Sequence, residues 1–189
     1  LGLEMVWCPP GSFHMGSSLD DTGREEKEVL HQATISRGFY IGKYEVTQDQ
    51  WLEIMGNNPS FFNGPNRPVE RVSWNDAKSF CDKLTQIERA KGILPEGWFY
   101  DLPTESEWEY ACRASTRSPF AWGSSIDNTK ANYQSEINST REVGFYLSNA
   151  WGLFDMHGNV SEWVYDKKGE YSNTPVVDTI GPKNGYNRI

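Results

Sequence analysis

The stretch Trp151-Gly152-Leu153-Phe154-Asp155-Met156-His157-Gly158-Asn159-Val160-Ser161-Glu162-Trp163 decides how the rest of the chain is read. Asp155 and Glu162 bracket a Gly158-Asn159 turn. A turn frees backbone carbonyls from regular pairing, and the two carboxylates add charge. Hard cations such as calcium take about six to eight oxygens of this mixed kind. The same residues also fit a turn whose acids are simply solvated. His157 beside Asp155 invites a catalytic reading, but no Ser or Cys nucleophile motif accompanies it.

Upstream of this stretch the local signals are clearer. Thr47 can cap a helix that runs through Met55 and ends at Gly56-Asn57-Asn58-Pro59. Ser73-Trp74-Asn75-Asp76 opens a second helix, with Ala77, Phe80, Cys81 and Leu84 at helical spacing. Thr104-Glu105-Ser106-Glu107 fits a capping box, with a hydroxyl at the cap and a carboxylate three residues on. Trp108, Ala111 and Cys112 then face the core, and Arg113 pairs with a carboxylate rather than with a substrate. Met5 to Pro9, Ser12 to Met15 and Phe39 to Val46 are predicted as short strands around turns at Pro9-Pro10-Gly11 and Gly38. Ser17 to Lys27 is predicted as a polar loop, and His14 and His31 as strand or surface residues rather than ligands. Beyond Ser115 the pattern becomes irregular. Long loops in a compact domain carry function or are held by bound ions.

A chain of 189 residues suits one domain, 1–189, with a core of its own. Its formal net charge of −8 argues against nucleic acid, which needs clustered Lys and Arg. The same balance suits cations. Eight Trp in a chain of mean hydropathy −0.67 predict a core of a few large rings under many polar loops. No apolar run approaches the roughly 18 residues of a membrane span. A soluble protein follows, of the bacterial cytoplasm or exported. Cys8, Cys81 and Cys112 are too scattered for a zinc motif or a disulfide framework and are expected to be buried thiols.

Seven phrases together resemble the formylglycine-generating enzyme, or sulfatase-modifying factor, family. In order they are Met5 to Gly16, Gly38 to Thr47, Arg67 to Ala77, Leu102 to Ala111, Phe120-Ala121-Trp122-Gly123, Ala131-Asn132, and Gly152 to Trp163. The resemblance covers nearly the whole chain. It implies an α+β, C-type-lectin-related fold with little regular secondary structure and long loops held partly by calcium. Carried over residue by residue, it implies a structural calcium site at Glu45, Asp155, Gly158, Val160 and Glu162. Carboxylates come from Glu45, Asp155 and Glu162, and carbonyls from Gly158 and Val160. A second calcium site would begin at Asn132 and the Tyr133 carbonyl, but Gln134 to Arg141 offers no Asp to complete it.

In active members of that family two cysteines bind copper and oxidise a sulfatase cysteine to formylglycine. They follow a glycine-rich phrase that this sequence would reach just after Asn187-Arg188-Ile189. No residue here matches them. Cys81 and Cys112 match helix positions that pair, in some members, with cysteines beyond that point. The last core strands are therefore expected past residue 189, either in a continuing chain or supplied by another one. Three functions follow from the resemblance. One is a calcium-stabilised binding or regulatory module with a protein or peptide partner. Another is a copper-dependent oxidase whose cysteines lie beyond residue 189. The third is a ligand-display variable protein of a diversity-generating retroelement.

Overall fold

A capping box starts each of the three helices found among the described residues. A computed structural model of the chain describes residues 1–189 apart from 20–23, 25–27, 134–137, 170–172, 182–184, 186 and 189. Helix α1 spans Gln48–Met55. The Thr47 hydroxyl accepts from the Gln50 amide, and the Gln50 side chain accepts from the Thr47 amide. It ends where Gly56 turns left-handed, at φ 77. Helix α2 spans Trp74–Ala90 behind the same reciprocal pair at Ser73 and Asp76. Helix α3 spans Glu105–Arg113 behind Thr104 and Glu107. All three starts fall where the sequence predicts them.

Five strands lie among the described residues: β1 (Met5–Cys8), β2 (Gly11–Met15), β3 (His31–Ile35), β4 (Phe39–Gly42) and β5 (Val176–Val177). β1 pairs antiparallel with β4, setting Cys8 opposite Phe39. β2 pairs antiparallel with β3, and β5 joins β3 in parallel. The predicted strand to Val46 stops at Gly42. Past that point the backbone serves other partners: the Lys43 carbonyl accepts from Phe154, and the Val46 carbonyl from Val69. β3 was not predicted. Its buried positions are His31, Ala33 and Ile35, and His and Ala give an alternating pattern little apolar contrast. The predicted loop at Ser17 to Lys27 lies largely outside the described residues.

The core has two parts. Trp51, Phe80, Cys81 and Leu84 bury one, between α1 and α2, with the Trp51 and Phe80 rings stacked at 5.3 Å. Cys8, Ala111, Cys112, Leu153 and Met156 bury the other, between β1, α3 and the late loop. Asn149 ties that loop to α3. Its amide donates to the Ala111 and Cys112 carbonyls, and its oxygen accepts from Trp151 and Leu153. Two carbonyls near the helix end thus gain partners outside the helix. All three thiols are free and buried, as expected. Among the described residues no helix is long and apolar enough to cross a membrane.

Candidate functional site

The late loop makes unusual demands on its backbone near the turn. Asp155, Gly158 and Asn159 all have positive φ, at 55, 99 and 63. Gly158 is required twice over, because a Cβ there would stand 2.4 Å from the Asn132 carbonyl oxygen. That close approach lets the Asn159 amide donate to the same oxygen at 2.8 Å. The Asn159 side chain then works as a hub. Its nitrogen donates to Glu45 at 2.8 Å and to the Arg141 carbonyl at 3.3 Å. Its oxygen accepts from the Arg141 amide at 2.8 Å and from Asn132 at 3.3 Å.

This hub brings Glu45, from the segment between β4 and α1, against Asp155 and Glu162. The Glu45 carboxyl is pushed up to about 9, first by burial and then by the charges of Glu162 and Asp155. Hydrogen bonds from Asn159 and the Val160 amide oppose that push without cancelling it. Burial also raises the Asp155 carboxyl, although one of its oxygens accepts from the Gly144 amide at 2.6 Å. The Glu162 carboxyl is pushed up to about 7, again by burial first. Glu162 as a residue remains exposed, so water screens it and its smaller push carries less weight. One oxygen of Glu45, Oε1, and one of Asp155, Oδ1, are buried without a hydrogen-bond partner. Buried acceptors are nearly always satisfied, so this pair asks for a positive partner.

Among the described residues, no three His, Cys, Asp or Glu side chains gather closely enough to hold an ion by themselves. A cation at this place would need carbonyl oxygens as well, and Gly158 and Val160 lie on the same loop. The residue set fits a hard cation in two respects: all its side-chain donors are oxygens, and two of them are unserved. At the second predicted site the side-chain hydrogen bonds among the described residues run through the Asn132 nitrogen and the Tyr133 hydroxyl, not through the Tyr133 carbonyl. The Asn132 amide donates to the Ser139 carbonyl and to Asn159, and the Tyr133 hydroxyl donates to the Ile126 carbonyl. Residues 134–137, where further ligands were sought, lie outside the described residues.

Next to this loop is a cavity of about 370 Å³, lined from β2, β3, α3 and the segment 116–121. Cys112 and His157 meet at its wall, with sulfur and Nε2 3.7 Å apart. Burial pushes the thiol up to about 12 and the imidazole down to about 4. Burial thus favours the neutral form of each, against the charged thiolate–imidazolium pair that a nucleophile needs. Arg113 pairs with Glu109 at 2.7 Å, as the sequence predicts, and donates to the Gly16 carbonyl. Sequence reasoning missed the Cys112–His157 contact and the Asn159 hub. The only local signal for the hub was the Gly-Asn turn.

Small sheets, three capped helices and long hydrogen-bonded loops define a formylglycine-generating-enzyme-like, C-type-lectin-like α+β domain. The family model described as "Sulfatase-modifying factor enzyme 1-like domain" matches residues 2–187, and the chain belongs to that family. A relative named chaperone protein LppX, from Paenibacillus barcinonensis, is 35% identical over 68% of this chain and 62% of its own length. The mouse formylglycine-generating enzyme is 28% identical over 86% of this chain and 44% of its own. The chain thus spans under two thirds of both relatives. The solved structure of Treponema denticola variable protein 1 superposes with a TM-score of 0.75 at 26% identity. That match covers 97% of this chain and 81% of the other.

Proposed function

We propose that this chain is a calcium-stabilised binding or regulatory module of its family. One observation carries the reading: Glu45, Asp155 and Glu162 share a site where two carboxylate oxygens are buried without partners and all three carboxyls are raised. Calcium would be held by Glu45, Asp155 and Glu162 with the Gly158 and Val160 carbonyls. It would tie the segment before α1 to the late loop, which suits a structural ion. The Asn132–Tyr133 position is the weaker candidate, since Gln134 to Arg141 offers no Asp to complete it. The binding role is supported by the loop-rich architecture and by the neutral state of Cys8, Cys81 and Cys112. Each of these thiols is pushed up to about 12 by burial.

The test is thermal melting of the chain in calcium and in chelator, with titration calorimetry beside it. A calcium-dependent rise in Tm that Glu45→Gln and Glu162→Gln abolish is expected. Equal melting in calcium and chelator would overturn the reading. A second reading draws on the variable-protein match, which spans nearly the whole chain: a display domain offering its loop face to a protein or peptide. Copper-dependent oxidation, the third, would need a cysteine pair beyond residue 189. Conversion of the cysteine of a sulfatase-type peptide to formylglycine by the protein in copper and oxygen, read by mass spectrometry, would favour it over the other two.

A further inference from the structure

The ribbon made by β1 and β4 has two unlike faces. Val6, Phe39 and Ile41 pack with Cys8 against the α3 core. Side chains alternate along a strand, so Trp7 and Tyr40, directly opposite each other across the ribbon, point away from that core. A solvent-facing sheet surface is ordinarily polar. This one carries two large rings with centroids 4.9 Å apart. A third ring joins them: Trp98, from the connection between α2 and α3, stands 5.7 Å from Tyr40. Trp7, Tyr40 and Trp98 are 46%, 50% and 45% exposed.

The outer two rings are held from behind. A Cβ at Gly38 would stand 2.3 Å from the Trp7 ring, so this glycine lets the indole lie against the backbone. The Trp98 carbonyl accepts from the Arg89 guanidinium at 2.7 Å, and the Trp98 amide donates to the Pro95 carbonyl at 3.1 Å. Rings fixed in this way lose little freedom when a partner docks. Their polar atoms are also unspent. The Trp74, Trp108, Trp122 and Trp163 indoles each donate to an oxygen of the chain. The Trp7 and Trp98 indoles and the Tyr40 hydroxyl meet no such partner among the described residues, and these side chains stand half-exposed. Three uncharged rings thus offer two N–H donors and one hydroxyl. Successive rings are tilted by 56° and 53°, which leaves clefts between them rather than one flat platform.

We propose that Trp7, Tyr40 and Trp98 bind a proline-rich segment of a partner protein in the polyproline II conformation. Pyrrolidine rings fit clefts between tilted aromatic rings. A polyproline II backbone makes no internal hydrogen bonds, so its carbonyls are free to accept from indole N–H and phenol O–H groups. A sugar chain, which also stacks on exposed rings, suits rings presented nearly in one plane. The proposal gives the binding role above its partner class; it rests on that role and not on calcium.

The test is NMR of the indole N–H groups during titration with decaproline, with anisotropy of fluorescein-labelled decaproline for affinity. Both are run in calcium and in chelator, and Tm is measured on the same samples. The Trp7 and Trp98 signals, assigned with Trp7→Phe and Trp98→Phe, should shift while those of Trp74 and Trp163 hold. Trp7→Ala should weaken binding about tenfold or more, and Tyr40→Phe, which keeps the ring, about fivefold. Leu147→Ser, at an 89% exposed residue outside this face, should change nothing. No saturable shift of either indole at millimolar decaproline would overturn the proposal, and a calcium rise in Tm in those samples would show that the calcium reading survives it. Parent-like affinity of both Trp7→Ala and Tyr40→Phe would also overturn it. Shifts of the two indoles with cellohexaose and not with decaproline would make the face a sugar platform and remove the peptide. Decaproline binding without any calcium effect on Tm would keep this proposal and remove the calcium reading.

Discussion

The α1–α2 half and the late loop of this domain are stabilised in opposite ways. Between α1 and α2, Trp51, Phe80, Cys81 and Leu84 exclude water, and the Trp51 and Phe80 rings stack on each other. The late loop gives Leu153 and Met156 to the second core cluster, but around Asn159 itself the contacts are polar. Backbone positions at positive φ, amide hydrogen bonds and three crowded carboxylates hold the chain. Apolar packing is indifferent to calcium and to mild pH, whereas a carboxylate site answers to both. The two halves should therefore fail under different conditions.

The largest effect is expected in the apolar half. Trp51→Ala should cost about 3–5 kcal/mol by urea unfolding, equally in calcium and in chelator. A calcium-dependent cost would break the contrast. Gly158→Ala comes next, at about 3 kcal/mol, because φ 99 and the Asn132 oxygen 2.4 Å from the new Cβ both oppose it. Gly56→Ala is its control. It shares a positive φ, but nothing stands within 4 Å of its Cβ, so about 1 kcal/mol is expected.

Glu162→Ala should lower stability by about 2.7 kcal/mol when calcium stands at about a hundred times its Kd, and by about 0.5 kcal/mol or less in chelator. Equal Tm for mutant and parent in excess calcium would count against the site. The pH response sharpens the same point. Glu45 rises from 4.5 to about 9 on folding, so the metal-free fold holds a proton there that the unfolded chain has lost. Its stability should fall as pH rises through that window. His157, lowered to about 4, acts in the opposite direction only below its usual 6.5. Melting between pH 7 and 8, above the range of His157 and below the 9.0 at which thiols of the unfolded chain ionise, reads the carboxylates: Tm should drop in chelator and hold in calcium, which needs the charged form. The smallest effect is expected at a helix start. Thr104→Ala removes the hydroxyl that caps α3, at a cost of about 1 kcal/mol in either buffer.

What was legible in the sequence follows the same division. Thr47, Ser73 and Thr104 were read as caps because a cap and its partner lie three residues apart, so the signal is local. The core positions of α2 followed from helical spacing in the same way. β3 escaped because its buried face is made from His31, Ala33 and Ile35, and only the last is a strong strand former. Asp155 and Glu162 are legible as candidate cation ligands from the local turn, but Glu45 enters only through family resemblance, since it stands 117 positions before Glu162, a separation no local pattern spans (162 − 45).

By itself, then, the sequence determined the three helices, their caps, the buried thiols and the family, because each rests on short-range chemistry or on ordered motifs. Only the tertiary structure decided that Asn159 holds Glu45, that Gly158 exists to let Asn132 approach, and that Cys112 meets His157 beside a cavity. Those contacts join segments far apart along the chain. They exist only once the two core clusters have brought those segments together, at a cost in chain entropy that no single window of sequence records.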